Sequence, residues 1–358
     1  MSARQKNVLI VPLDWGLGHA TRCVPVIEHL LEVGHKVFIG GTLRTNTLLA
    51  TEFPELTFLS YNGYDIQYPK RGAGFLRNML LQLPKISKAI KKENLLTQKY
   101  CADYGIDLII SDNRFGVYSE KIQSFFITHQ INIQMPFTWL TNFVRRINFH
   151  FIKKFDQVLI PDYPNQVLSS ALSDYSKDLN KPVHWLGILS RLKNEEVPKN
   201  NEVLFLLSGP EPQRSLLEEK FVAQAESLKL ECILVGGIPD RVYTKESKCV
   251  RFINHLNKRE LNLLMNQSSV IISRTGYSTI MDLIQMERSA ILIPTPGQFE
   301  QEFLGEYYAG QGFFDVQTQE NFDLKQSLEI HKNRKKNRLP KLDYFLYKKV
   351  IAELLSKI

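Results

Sequence analysis

The chain has 358 residues, 44% hydrophobic and 23% charged, with a formal net charge of +8 at pH 7. These proportions exclude long disorder, a collagen-like repeat and a fibrous rod, and the length suits two domains, each able to bury its own core. Its four cysteines, Cys23, Cys101, Cys232 and Cys249, form no C-x-x-C pair, which argues against a zinc ribbon or a disulfide scaffold and for a reducing compartment.

From the N-terminus, residues 7–13 predict a short apolar strand, followed by a turn at Gly16 and Gly18. Residues 20–31 predict a helix, with Val24, Ile27, Leu30 and Leu31 at helical spacing and Gly34 as its stop. Strands follow at 35–39, 56–60, 107–111 and 124–128, with a basic helical segment between Gly74 and Tyr100. Residues 161–191, with Pro161, Pro164 and Pro182, read as the end of one domain and a linker. The rhythm restarts with strands at 203–207, 232–235, 250–253, 270–272 and 290–293 and helices over 214–229 and 277–286. A basic stretch, 331–338, leads to Pro340 and a final amphipathic helix, 344–358. Strands alternating with helices predict an α/β fold of two doubly wound domains, each a parallel sheet covered on both faces.

Charge is unevenly placed. Residues 70–154 hold 14 Lys/Arg against 5 Asp/Glu, residues 331–349 hold 8 against 1, and the remainder is net acidic. Two basic zones on an acidic background point to an anionic partner. The apolar run at 8–11 ends too soon for a signal-peptide core, and no run of about 18 apolar residues would span a membrane. The expectation is a cytoplasmic protein, or one lying on the inner face of the plasma membrane.

In an open parallel sheet, ligands sit beyond the C-terminal strand ends, where helix N-termini attract anions. Gly16-Leu17-Gly18-His19 lies at such an end. It is not a G-x-G-x-x-G dinucleotide fingerprint, because Thr21 stands where the third glycine would be. A tight turn with a solvated His19 explains it as well as an active-site turn does. In the second half, Ser208-Gly209, Gly236-Gly237 and Ser273-Arg274-Thr275-Gly276-Tyr277-Ser278-Thr279 end strands in the same way. Backbone N–H groups with Ser and Thr hydroxyls can cradle a diphosphate. Asp282, one turn into the following helix, either accepts from ribose hydroxyls or merely decorates a first turn. Glu300 and Gln301 lie in the loop after the next strand.

The run from Ser273 to Asp282 resembles the donor-binding signature of family 28 glycosyltransferases, which include the enzyme that modifies lipid I and the galactolipid synthases. The resemblance covers roughly residues 7–315 and implies the GT-B fold, two Rossmann-like domains facing across a cleft. An N-terminal domain, 1–185, would take the acceptor; a C-terminal domain, 186–340, the nucleotide-sugar; and a helix, 341–358, would cross back to the first. It further implies that Thr275, Gly276, Tyr277, Ser278 and Thr279 hold the phosphates and Asp282 the ribose. Glu300 and Gln301 would contact the donor sugar, and Arg191, with Arg274, would reach the diphosphate. His19 would be the active-site histidine, oriented by Asp112 at the end of the strand at 107–111. Two departures stand out: the first glycine turn is shorter than in the lipid I enzyme, and Asp282 replaces a glutamate.

Imidazole titrates near neutral pH, so His19 suits a base that activates an acceptor hydroxyl. No Asp-x-Asp occurs in the chain. The expectation is therefore metal-independent, anomer-inverting transfer from a UDP-sugar, without a cofactor, with N-acetylglucosamine preferred. His129 and Gln130, after the strand at 124–128, face the acceptor or serve the structure. The segment 75–99 and the stretch around Arg145, Arg146, Lys153 and Lys154, with Trp139, Phe143, Phe149 and Phe151, either rest on anionic lipid or form a solvated face. Lipid contact would favour a lipid-linked sugar or glycolipid acceptor over another glycan. No nucleic-acid partner is expected. Two alternatives stay open: a nucleotide-sugar epimerase of the same fold, and a nonenzymatic protein binding nucleic acid or membrane through the basic zones.

Overall fold

In the computed structural model, residues 4–64, 75–135, 137–175, 179–200, 202–238, 244–338 and 341–358 are described. Lys70, Arg71, Gly74 and Pro340 of the sequence reading lie outside these residues, as do the side chains of 75–81 and 83. The chain divides into two units, Met1–Leu189 with Asp343–Ile358, and Ser190–Leu342.

The first unit runs β1 (Asn7–Pro12), α1 (Gly18–Glu32), β2 (Lys36–Gly41), α2 (Leu43–Glu52), β3 (Thr57–Ser60), α3 (Phe75–Tyr104), β4 (Leu108–Asp112), β5 (Gln123–Ile127), α4 (Thr138–Ile152), β6 (Gln157–Ile160) and β7 (Val183–Trp185). Its sheet has the order β3-β2-β1-β4-β5-β6-β7, with every neighbouring pair parallel. Val8, Leu9, Ile10 and Val11 are all fully buried, as expected for a central strand covered on both faces. In α1, Val24, Ile27 and Leu30 turn the buried stripe toward the sheet, and Gly34, at φ +87°, takes the left-handed backbone that lets the chain reverse into β2.

Residues 161–191 are more than a linker. Asp162, fully buried, accepts from the backbone N–H groups of Tyr163, Leu168 and Ser169 at 2.6, 3.1 and 2.8 Å and so folds the turn that precedes β7. β7 then joins the sheet beside β6, with Leu159 opposite His184. The elements of the first unit that sequence periodicity missed are α2, whose run Leu43–Glu52 is largely polar, α4, β6 and β7. In the second unit it missed every element after β12 and one helix before it.

The second unit runs β8 (Val203–Leu206), α5 (Gln213–Leu228), β9 (Cys232–Val235), β10 (Val250–Ile253), α6 (Lys258–Gln267), β11 (Val270–Ser273), α7 (Tyr277–Gln285), β12 (Ile291–Leu292), α8 (Phe299–Gln311), β13 (Asp315–Val316) and α9 (Leu324–Asn333). The sheet order is β10-β9-β8-β11-β12-β13, again all parallel. Phe205 and Phe221 stack at 4.2 Å between ring centroids and join β8 to α5 in the core. Asn257 and Glu260 close a reciprocal capping box that starts α6.

The last helix, α10 (Leu346–Leu355), packs on the first unit. Lys348 pairs with Glu32 of α1 at 2.7 Å, the Tyr347 ring meets His29 edge-on, and the Tyr163 hydroxyl donates to the Asp343 carbonyl at 2.9 Å.

Deep in the first unit, Glu93 of α3 is the anchor for the turn after β4. Arg114 Nε donates to it at 2.6 Å, the Tyr64 hydroxyl at 2.6 Å and the Gly116 N–H at 2.8 Å. Removing one partner of a buried ion pair leaves the other charge uncompensated, at about 3–5 kcal/mol. Glu93→Gln should therefore lower the stability of the first unit by about 3 kcal/mol in denaturant titration, whereas breaking a surface pair such as Lys357–Glu353 should leave it nearly unchanged.

Candidate active site

In both sheets the strand order reverses beside the first strand, between β1 and β4 and between β8 and β11. Helices leave the two strands of such a pair on opposite faces, so the strand ends stay uncovered, and ligands of open α/β sheets bind there. Every turn singled out in the sequence lies at a C-terminal strand end, and the two richest are at these reversals.

At the first reversal, Pro12 of β1 pairs with Asp112 of β4, and the Leu13 N–H donates to the Asp112 carbonyl at 2.9 Å. Gly16 (φ +89°) turns the chain into α1, where Gly18 is the first helical residue and His19 the second. That geometry brings His19 Nδ1 to 3.0 Å from Asp112 Oδ1. Arg22, one helical turn after His19, completes the arrangement. Its Nε donates to Asp112 Oδ2 at 2.5 Å and its Nη2 to Asp112 Oδ1, while Nη2 also lies 2.9 Å from His19 Nδ1. The Cys23 thiol donates to Asp112 Oδ2 at 3.6 Å.

Asp112 is fully buried. Burial alone would raise its pKa, but the Arg22 guanidinium and the His19 ring outweigh it and hold the carboxyl well below the usual carboxylate range. His19 keeps its side chain 14% exposed, so the ring is anchored on one edge and open on the other. A histidine held through Nδ1 by a carboxylate, with its far nitrogen free to reach a hydroxyl, is an arrangement for general-base chemistry.

Of the two readings left open for His129, acceptor contact or structural service, its burial and bonding fit the structural one. It is 2% exposed, and its Nδ1 accepts from Arg22 Nη1 at 3.0 Å, so it stands behind the dyad. Gln130 is partly buried; its N–H donates to Thr128 Oγ1 and its carbonyl accepts from Asn148.

In the second unit, the turns after β8, β11 and β12 meet. A side-chain carbon added to Gly209 would lie 3.4 Å from Thr295 Oγ1 and 3.7 Å from Arg274 Nε, and Gly209 is at φ +107°. Ser208 and Gly209 are exposed at this edge. Gly236 donates to the Ile253 carbonyl and Gly237 takes φ +61° beneath the next strand end. Gly276 caps α7 in extended conformation, so the N–H groups of Tyr277, Ser278 and Thr279 have no partner within the helix. The Tyr277 side chain turns into the core, Ser278 and Thr279 are partly exposed, and the buried Thr275 hydroxyl has no hydrogen-bond partner.

Arg274 does not present its charge at the turn. It is 1% exposed and donates to the carbonyls of Gln213, Pro294, Ile293 and Ser208 at 2.8–3.4 Å. Burial pulls its pKa down to about 10. The side chain ties the three turns together from beneath. Gln301 likewise faces its own loop, where Oε1 accepts from the Thr295 N–H and hydroxyl at 3.0 and 2.9 Å; Glu300 precedes it in the first turn of α8.

Asp282 lies one turn into α7. Burial pushes its carboxyl up to about 6, against the Ser190 hydroxyl, which donates to Oδ1 at 2.5 Å, and the charge of Arg191. His255, after β10, faces the same arginine: burial first, and then Arg191, lower its pKa, while Glu260 opposes them. Sequence reasoning assigned no role to Arg22, Ser190 or His255. Helical spacing from His19 pointed to Arg22, and Ser190 stood beside Arg191. Among the described residues, no group of three or more His, Cys, Asp or Glu side chains is arranged to hold a metal ion.

Residues 243–305, which include the Ser273–Asp282 turn, match the glycosyltransferase family 28 C-terminal domain. An "Uncharacterized glycosyltransferase" of Methanosarcina mazei is 22% identical over 323 residues, 83% of this chain and 81% of that one. Among solved structures, the kitacinnamycin glycotransferase superposes with a TM-score of 0.62 at 14% identity, covering 99% of this chain and 94% of that one. MurG of Acinetobacter baumannii superposes at 0.55 and 13%, covering 99% and 100%. Fold and signature together make the chain a glycosyltransferase of the GT-B class. The nonenzymatic alternative is thereby set aside.

Because the folded pKa of Asp282 lies above the ordinary value of 3.8, its ionisation works against folding. The cost is absent below about pH 4, grows as pH rises toward about 6, and is complete at pH 7, where it amounts to about 2–3 kcal/mol. Asp282→Asn should raise the stability of the second unit at pH 7 by about that amount and leave it unchanged at pH 4, as read by thermal unfolding at the two pH values.

Proposed function

We propose that the chain is an inverting glycosyltransferase that moves a sugar from a UDP-sugar to a hydroxyl of a lipid-linked or other glycan acceptor. The single observation that carries the reading is the His19–Asp112 pair, 3.0 Å apart at the strand-order reversal of the first unit. Asp112 keeps the proton of the His19 ring on Nδ1, and the Nε2 lone pair takes the proton of the acceptor hydroxyl as that oxygen attacks the anomeric carbon. The attack is a single displacement from the face opposite the diphosphate, which inverts the anomeric centre. The departing diphosphate is met by the N–H groups of Tyr277, Ser278 and Thr279 and by the Thr275 hydroxyl, so developing charge falls on fixed dipoles. Asp282 accepts from the ribose hydroxyls, with Arg191 beside it. No Asp-x-Asp pair is present to chelate a cation for the donor, and the scheme uses none.

Phe137, Trp139 and Phe143 are 60%, 63% and 46% exposed on and before α4, with Arg146, Lys153 and Lys154 exposed nearby. No helix among the described residues is long and apolar enough to cross a membrane. Aromatic rings beside cations suit the interface of an anionic bilayer, each Lys or Arg adding about 1 kcal/mol, so a cytoplasmic-face glycolipid acceptor fits this surface. N-acetylglucosamine is the preferred sugar through the family resemblance.

The test is a screen of nucleotide-sugars with and without a lipid-linked acceptor. Slow UDP release that the acceptor accelerates supports transfer, and recovery of an isomeric UDP-sugar would make the protein an epimerase instead. Loss of a general base lowers rate by about 10²–10⁴-fold. His19→Ala should show a turnover loss in that range with UDP affinity by calorimetry nearly unchanged; equal losses in both would make His19 structural. Asp282→Ala should weaken UDP by about tenfold or more, the value of a charge-assisted hydrogen bond. Wild-type affinity should also fall as pH drops through about 6, where Asp282 takes up its proton. A pH-independent affinity would remove Asp282 from the ribose.

A further inference from the structure

The Arg22 guanidinium is buried at the centre of the acceptor-side network and touches three groups at once: Asp112, His19 Nδ1 and His129 Nδ1. A guanidinium stays charged and only donates. His129 Nδ1 must therefore offer a lone pair, which places the His129 proton on Nε2 and keeps that ring neutral. His19 Nδ1 is in a different position, because it lies between a donor, Arg22 Nη2 at 2.9 Å, and an acceptor, Asp112 Oδ1 at 3.0 Å. Two arrangements satisfy it. With the proton on Nδ1, the ring donates to Asp112 and Nε2 is free to accept a proton. With the lone pair on Nδ1, the ring accepts from Arg22, Nε2 carries the proton, and the base is switched off.

From this geometry we infer that Arg22 is a positioning residue that sets the protonation and tautomer of His19, by neutralising Asp112 while competing for the same ring nitrogen. The inference rests on His19 acting as the base. A carboxylate alone beside a histidine favours the imidazolium and would keep the ring charged after it takes the acceptor's proton. With the guanidinium bonded to both carboxylate oxygens, the pair Arg22–Asp112 is close to neutral as His19 meets it. The ring is then oriented by Asp112 without being held protonated. The groups facing this site are Arg22 and Cys23 from α1, Asp112 from β4 and His129 after β5. Burial pushes the Cys23 thiol well up, so it stays neutral, and Arg22 is the cation that balances Asp112.

The test uses the full-length chain with ¹⁵N-labelled histidine, the His19 signals being assigned with His19→Gln. In Arg22→Gln, the pH at which the His19 ring protonates should rise by about one unit, the lower end of what a neighbouring charge produces. The acid limb of the transfer rate should move with it, so that activity at pH 6 falls about tenfold more than activity at pH 8, with donor KM little changed. Arg22→Lys, which keeps the charge, should return both toward the wild type. A His19 ring that titrates unchanged in folded Arg22→Gln, or Arg22→Lys shifting as far as Arg22→Gln, overturns the inference. Should Arg22→Gln not fold, the double variant Arg22→Gln/Asp112→Asn removes both charges. Its ring should titrate near the wild-type pH, whereas Asp112→Asn alone should titrate lower; a double variant as low as the single one overturns the inference. A ring that shifts while the rate limb does not removes the base role from His19 and leaves the control by Arg22 standing.

Discussion

Asp112 is the group on which the first unit's chemistry turns. It ends β4 with its backbone locked to β1, so its position is set by two central strands, and its carboxylate is fully buried. A carboxylate in that place is tolerable only with compensating charge and hydrogen bonds. Arg22 supplies the charge, and His19 and Cys23 supply further donors. The same requirement that makes the strand end stable therefore gathers a histidine, an arginine and a second histidine around one carboxylate. Electrostatic need and the geometry of the proposed base coincide here, because the strand-order reversal leaves this end uncovered.

The second unit handles charge in the opposite way. Its buried arginine, Arg274, is bonded to main-chain carbonyls, and its acid, Asp282, is kept partly desolvated with a raised pKa. Around them stand first-turn N–H groups that the helix itself does not bond and, among the described residues, an unpartnered Thr275 hydroxyl. Fixed donors at a helix N-terminus suit an anion with oxygen acceptors, which is what the proposed donor site requires. The first unit, by contrast, closes its network on itself and leaves one imidazole edge open.

The two sheets share a strand order around their reversals but differ in how their outer strands are secured. β7 enters the first sheet only because Asp162 organises the turn ahead of it, and α10 adds the far C-terminal residues to the same unit through Lys348, Tyr347 and Asp343. In the second unit the outer strand β13 is just Asp315–Val316, and Asp315 is held by His331 at 2.7 Å and Arg334 at 3.0 Å. Part of the C-terminal basic zone thus serves the fold, while the cations of α4 remain on the surface beside exposed aromatic rings.

Local apolar runs determined the central strands: β1, β4, β8, β9 and β11 are largely continuous apolar segments, and burial on both faces is the reason such runs exist. Glycines at strand ends likewise marked the turns, because a positive φ or a close approach leaves a mark in composition. The turns at His19 and at Ser273–Gly276 were legible for that reason, whereas the pairing of Asp112 with His19 was expected from the family resemblance. The weakly patterned elements were not: α2 is largely polar, and β7 and β13 are each three residues or fewer, too short to show a period. Direction and partnership of side chains were also out of reach. Arg274 sits in a turn that reads as phosphate-binding, yet its guanidinium points under the turn to carbonyls that are distant in sequence. His129 reads equally as an acceptor contact or a structural group, and only the fold shows it buried against Arg22. Arg22 itself looked like one more charge on a helix, since its role exists only when β4, 90 residues away, lies beside α1. Residue type and spacing set which chemistry was present, and the packing of remote segments decided which of those groups meet, because hydrogen bonds and charge compensation depend on distances that the order of residues does not contain.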